Sequence, residues 1–454
     1  MESYCLSKQI KMLVLGIVVG AISGVIVSAF RFGIGIIYNQ VGELYHQMKE
    51  NTLIVVLWLI FSLILGWVLS IITKTDRDIK GSGIPQVELQ MHGKLSMNWW
   101  SVLWKKFTVG TLAIGSGLLL GREGPSIQLG SVVGLGLSQT FKLDEKTKKA
   151  LIACGASAGV AAAFNAPLAG LMFSIEELYK KMNHQIVLMI LTASLTAHQV
   201  SAKVFGHQPT LNLLNEHTFP PKEYYWLVAL GFFLAFGGYL YSKVTLSLPI
   251  IFKSCFPFLN KHYYGLVPLV LIIPLGICFP FLLGGGGPLI LFLLNNHFSL
   301  SMLIIFLLLR FIYSMLSFGS GLPGGIFLPI LSLGALHGLV FATIATQYFG
   351  FPEGFLSYIV MFSMAGYFAS ISKAPFTAIL LVTEMVGGVT QLVPIAICVL
   401  VSYFIATLLG VSPIYEVLAE RLYFDQKKFI TAKIILFMIF VLKLEIGISI
   451  VSMV

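Results

Sequence analysis

Glu123 asks most strongly for a chemical explanation. It stands in Gly121-Arg122-Glu123-Gly124-Pro125, between apolar stretches. A carboxylate in such a setting is costly and marks function by default. Two further elements share the glycine-then-proline form: Gly81-Ser82-Gly83-Ile84-Pro85 and Gly324-Gly325-Ile326-Phe327-Leu328-Pro329. Each opens an apolar, helix-forming stretch. Glycine lets the backbone turn sharply, and proline suits the first turn of a helix. A helix that begins inside a bilayer points unpaired N–H groups and about half a positive charge into the protein interior. Three such ends brought together make an anion site with no fixed cationic side chain. Magnitudes favour that design. Taking an anion into a dry interior costs of order 20 kcal/mol in the Born limit. A helix end returns at most ~2 kcal/mol, and each hydrogen bond to a charged group ~1.5–3 kcal/mol. Several donors offset the cost and still release the ion, whereas a bare lysine would hold it too long for passage.

Other side chains carry competing readings. Ser82 could donate to an anion or simply cap the following helix. Tyr415, in Ser412-Pro413-Ile414-Tyr415, could be a donor or an interfacial tyrosine. Phe327 is expected to pack through its ring and act only through its N–H. Adjacent helical residues do not face each other, so Arg122 is expected to find a carboxylate other than Glu123, with Glu88 on the 84–91 helix as the choice. Glu176 and Glu177 end an apolar helix before Tyr179-Lys180-Lys181; as a bland reading they are a solvated helix end. The nine histidines show no HExxH or other metal-ligand spacing, so no metal or cofactor is expected, and His337 reads as a packing residue.

The elements that position these residues are membrane helices. Of 454 residues 57% are hydrophobic and 11% charged, against roughly 25% charged in soluble domains. A soluble enzyme, a nucleic-acid module and a disordered chain are excluded. At ~20 apolar residues per span, the apolar content fills about a dozen spans. The net charge of +10 comes from short clusters between apolar runs: Lys74, Arg77 and Lys80; Lys142, Lys146, Lys148 and Lys149; Lys180 and Lys181; Lys427, Lys428 and Lys433. These set topology by the positive-inside rule rather than binding nucleic acid. No cleavable signal peptide is evident, because the run 12–37 is too long. The five cysteines, Cys5, Cys154, Cys255, Cys278 and Cys398, contain no CxxC and read as small hydrophobes.

A repeat is visible. With a shift of 204, Gly115-Ser116-Gly117 falls on Gly319-Ser320-Gly321, Gly121 on Gly325, Pro125 on Pro329, Gly130 on Gly334 and Gly134 on Gly338. With a shift of 208, Ala166-Pro167 and Glu176 fall on Ala374-Pro375 and Glu384. Two related halves with broken helices at matching places mark many transporters, whose substrate site lies near the midplane between the repeats.

These motifs, in this order and with Asn165-Ala166-Pro167-Leu168-Ala169-Gly170 and Glu176-Glu177 between them, resemble the CLC family of chloride channels and chloride/proton antiporters, most closely its short prokaryotic antiporters. The resemblance runs from about residue 10 to 425. It implies an all-α polytopic membrane protein with two inverted repeats of tilted and broken helices, about 11–205 and 224–425. It implies a homodimer with one pathway per subunit, joined through helices near 166–177, 186–203, 375–386 and 391–408. Chloride would be held by the Ser82 hydroxyl, the Ile326 and Phe327 N–H groups and the Tyr415 hydroxyl. Serine at position 82 resembles the chloride-selective members. Glu123 would be the gate, occupying an anion site when charged and admitting chloride when protonated; Glu177 would be the inner proton acceptor. The implied activity is chloride/proton exchange across a bacterial inner membrane, with a passive voltage- or pH-gated chloride channel as the alternative. Glu177 favours exchange, since channels of the family usually lack that acid. An intramembrane enzyme would need a nucleophile with a base, or a metal set, at bilayer depth, and the sequence shows neither. Three departures stand out. Residues 1–10 form only a short N-terminal segment, Gln86 replaces an acid common in the family, and 426–454 is an apolar tail of unplaced role. No regulatory domain is expected after the tail.

Overall fold

The computed structural model describes residues 2–180, 183–211, 218–425 and 427, with side chains from residue 9 onward. The tail, 426–454 apart from residue 427, therefore lies outside the described residues, as does Lys181. Eight helices make the first half: α1 (Glu2–Met48), α2 (Thr52–Thr75), α3 (Ile84–Met91), α4 (Trp99–Gly115), α5 (Glu123–Thr140), α6 (Glu145–Phe164), α7 (Pro167–Phe173) and α8 (His184–Phe205). Eight more make the second: α9 (Tyr225–Cys255), α10 (Leu266–Cys278), α11 (Gly287–Leu294), α12 (Leu300–Gly319), α13 (Phe327–Phe349), α14 (Leu356–Ser372), α15 (Pro375–Val386) and α16 (Leu392–Leu408). A last helix, α17, covers 414–425. Among the described residues nine helices are long and apolar enough to cross a membrane. The apolar part of α1, Gln9–Met48, has 40 residues. At 1.5 Å per residue it is ~60 Å long, about twice the hydrocarbon core, so it cannot stand upright within it. Residues 2–10 are continuous with this helix rather than a separate segment.

The halves repeat each other in contact as well as in order. α5 packs on α6 as α13 packs on α14, and α1 on α8 as α9 on α16. The matched glycines explain the closeness. A Cβ on Gly130 or Gly134 would strike the α6 backbone at Gly155 or Leu151, and one on Gly334 or Gly338 would strike α14 at Ser363. α6 and α14 each end on a non-glycine residue in the left-handed region, Asn165 (φ 62°) and Lys373 (φ 63°), with Ala-Pro following. That ending breaks the apolar run 150–175 into α6 and α7, because the proline cannot continue the turn before it.

The two halves meet through equivalent residues. Gly121 and Gly325 exchange both backbone hydrogen bonds, each N···O 2.7 Å, in an antiparallel bridge. Gly81 N donates to Gly321 O at 3.3 Å, and its repeat mate Gly284 N donates to Gly117 O at 2.9 Å. A pair of equivalent residues that bond reciprocally must straddle the axis relating the halves. The halves therefore face each other with opposite orientation around the Gly121–Gly325 pair.

Candidate anion and proton pathway

Four helix N-termini, rather than three, close on the region around that axis. α3, α5 and α13 begin at Ile84, Glu123 and Phe327, each directly after its glycine element. The fourth is α11, preceded by Gly284-Gly285-Gly286. It is the mate of α3 at a shift of 203: Gly81, Gly83 and Pro85 fall on Gly284, Gly286 and Pro288. Gly83 (φ 91°) and Gly286 (φ 114°) both take a left-handed turn that a side chain would resist. This match escaped sequence reading because glycine runs align with many things; the proline two residues after the second glycine of each pair was the available signal.

Each short-helix loop is held by one buried cation. Lys106 Nζ donates to Ile79 O at 2.9 Å and Gly81 O at 2.7 Å. Arg310 donates to Leu282 O at 2.6 Å, Gly284 O at 2.8 Å and Gly285 O. Lys106 and Arg310 are mates at the shift of 204, and both are fully buried. Neither was singled out in the sequence. Their carbonyl partners are supplied by distant turns, which no spacing rule reveals.

The predicted donors lie at the starts of three helices, α3, α13 and α17. Ser82 packs against the α5 backbone so closely that a Cβ on Gly124 would overlap it. Its Oγ accepts from Ile84 N at 3.3 Å, but the N-cap of α3 is Gly83 and no side chain caps the helix, so Ser82 is not its cap and its hydroxyl proton stays available for donation. Ile84 and Pro85 form the first turn of α3, as Pro125 does for α5 and Pro329 for α13. Ile326 precedes α13, and the N–H groups of Phe327 and Leu328 belong to its unpaired first turn. The Phe327 ring packs against Phe164, Phe173 and Phe368, with centroids 5.2, 6.3 and 4.3 Å away. Tyr415 is fully buried, and its hydroxyl has no hydrogen-bond partner among the described residues. It lies within electrostatic reach of both Glu123 and Glu177.

Glu123 is fully buried. Its carboxylate lies over Gly121, where any Cβ would collide with it, and beside Leu328 N. Arg122 is placed differently from the expectation. Its Nε lies 3.8 Å from Glu123 Oε1, and its Nη2 donates to Ala163 O at 3.5 Å. Glu88 pairs instead with Lys180, Nζ···Oε1 3.3 Å. The argument from helix faces fails because Arg122 is the cap residue of α5 and lies outside its regular turns.

Glu176 and Glu177 part company. They lie on a π-helical turn, Ser174–Tyr179, rather than at the end of an α-helix. Such turns are rare and frequent at functional sites. Glu176 accepts from Phe376 N at 3.0 Å and from Thr377 N at 2.6 Å, capping α15. Its mate Glu384 accepts from Leu168 N at 3.0 Å and Ala169 N at 2.8 Å, capping α7. Each glutamate thus satisfies the helix start of the opposite half. Glu177 is buried and takes no part in this exchange; the charges around it are Glu88, Lys180, Glu176 and Glu416.

A family profile described as voltage gated chloride channel matches residues 61–407. The chain belongs to the CLC family. A CLC relative from Vibrio cholerae, named H(+)/Cl(-) exchange transporter ClcA, is 37% identical over 367 residues, 76% of this chain and 75% of its own. One of that name from Vibrio campbellii is 32% identical over 424 residues, 90% of this chain and 89% of its own. The crystal structure of a slow cyanobacterial Cl-/H+ antiporter superposes with a TM-score of 0.84 at 30% identity, covering 92% of this chain and 99% of that one. A CLC-type fluoride/proton antiporter superposes with a TM-score of 0.72 at 23% identity, covering 87% and 95%, a likeness of fold. The inverted halves and the helix ends at the axis are therefore the CLC architecture.

Proposed function

We propose that this protein exchanges chloride for protons across the membrane. The observation that carries the reading is Glu123, a buried carboxylate set among the free N–H groups of α5 and α13, with the buried Tyr415 hydroxyl within electrostatic reach of both it and Glu177. In this reading chloride is held by the Ser82 and Tyr415 hydroxyls and the Ile326 and Phe327 N–H groups. The charged Glu123 side chain competes for the same positive region. A proton neutralises it, frees the N–H groups for chloride and leaves the site with the side chain. Glu177 takes that proton from inner water, since the nearby basic segments place its end of the protein at the cytoplasm. Neither acid spans the distance alone, so two acids share the path. The buried Lys106 and Arg310 are bonded to loop carbonyls. This supports an anion held by dipoles and hydroxyls rather than by a bound cation.

The protein would act in a bacterial inner membrane as a homodimer. Its dimer surface would be the outward faces of α7, α8, α15 and α16, where Leu195, Phe376, Leu400 and Phe404 are exposed. Reconstituted vesicles loaded with chloride, followed by chloride and pH electrodes together, test the reading. Chloride efflux should drive proton uptake. Chloride efflux without proton movement would make the protein a passive chloride channel.

A further inference from the structure

Lys180 joins three elements that each carry a different part of the proposed pathway. It ends the π turn of Glu177 in the left-handed region (φ 54°), with its N–H bonded to Ile175 O at 2.8 Å. Its ammonium lies 3.3 Å from Glu88, on the α3 helix that begins beside Ser82. It also contacts Glu416, the residue after Tyr415 on α17. Glu88 is nearly buried, with 8% of its side chain exposed, while Lys180 and Glu416 are 38% and 39% exposed. A pair so open to water contributes little to folding. It can break and reform without disturbing the core. What it does fix is distance: while it is made, the Ser82 helix and the Tyr415 helix are both tied to the turn that bears the proton acceptor.

We propose that Lys180 is a positioning residue, a latch that ties α3, through Glu88, to the first turn of α17, through Glu416, and so restrains chloride release past Ser82 and Tyr415. The proposal rests on the roles given above to Ser82, Tyr415 and Glu177. When the latch opens, α17 is free to swing Tyr415 away from Ser82 on the cytoplasmic side. Lys180 touches no chloride donor, so chloride affinity in the closed state does not depend on it.

The test uses the full-length protein in vesicles, with calorimetry on the same preparations in detergent. Lys180→Met and Glu416→Gln should each raise maximal chloride turnover by roughly two- to five-fold, the range by which a half-exposed ion pair shifts an equilibrium. Chloride affinity should be unchanged. The double variant should add nothing to either single one, and Lys180→Arg should behave as the parent. Glu416→Gln leaves the π turn untouched, so it reports even where Lys180→Met folds poorly. Unchanged or lowered turnover in Glu416→Gln, or a double variant that sums two separate effects, would overturn the latch. A parent protein that moves chloride with no protons refutes exchange instead. The latch is judged on chloride turnover alone and is not affected by that result.

Discussion

At the scale of single residues the proposed roles divide between groups that donate to chloride and groups that carry protons. Glu123→Gln keeps the size of the side chain but cannot titrate. Chloride should still cross, proton movement should vanish, and chloride flux should lose its dependence on pH; vesicle assays across a pH series check all three. Tyr415→Phe removes one hydroxyl donor to the anion and leaves the ring in place. A hydrogen bond to a charged group is worth ~1.5–3 kcal/mol, so chloride affinity by calorimetry should fall by roughly ten- to a hundred-fold. Unchanged affinity would remove Tyr415 from the site. Asp78, in the turn between α2 and α3, gives a pH prediction away from the pathway. Burial, and then the charge of Asp76, pushes its carboxyl up to about 6. Folding therefore favours its protonated form. The stability it contributes is complete below about pH 4 and is lost as pH rises through about 6. Asp78→Asn should stabilise the protein in detergent at pH 7 by about 3 kcal/mol, read as a higher melting temperature, and change it little at pH 4.

At the scale of elements the exchanged caps are the main consequence. Glu176 and Glu384 each close a helix start in the other half, so both should matter to stability and neither to coupling. Glu176→Ala or Glu384→Ala should cost about 1–2 kcal/mol each, read as similar drops in melting temperature. Glu176→Gln retains an acceptor oxygen and should keep proton coupling. The buried Lys106 is the stronger clamp. Lys106→Met removes two charge-assisted bonds of ~1.5–3 kcal/mol each, leaving the Ile79 carbonyl without its donor and the Gly81 carbonyl with Gly324 N alone. It should destabilise by several times the loss of a cap, and Arg310→Met should do the same through the mate loop. How much of this was legible in the sequence follows from how local the cause is. The starts of α3, α5 and α13 were legible because glycine and proline act within one turn. The break after Asn165 was legible for the same reason. The π turn under Glu177, the partner of Arg122 and the clamps were not. Each depends on a carbonyl or charge that the fold brings from far away in the chain. Glu176 and Glu384 were visible as a repeat, but their function as swapped caps appears only once the halves are placed face to face.

At the scale of the molecule the fold is one half used twice, with the second copy inverted. The reciprocal Gly121–Gly325 bridge places the axis between the two helix starts that face Glu123. The symmetry is spent unevenly. The first half contributes Ser82 and the acids Glu123 and Glu177, while their mates are Gly285, Phe327 and Met385. Both acids of the proposed pathway, Glu123 and Glu177, therefore come from the first half, even though the scaffold is balanced. This arrangement makes exchange the central claim, and the reversal potential is its most direct measure. In planar bilayers with equal chloride on both sides and a pH difference across the membrane, an exchanger reverses away from zero. The account predicts such a shift for the parent protein and its disappearance in Glu177→Gln, with chloride current retained. Reversal at zero for the parent, unmoved by pH, would contradict it.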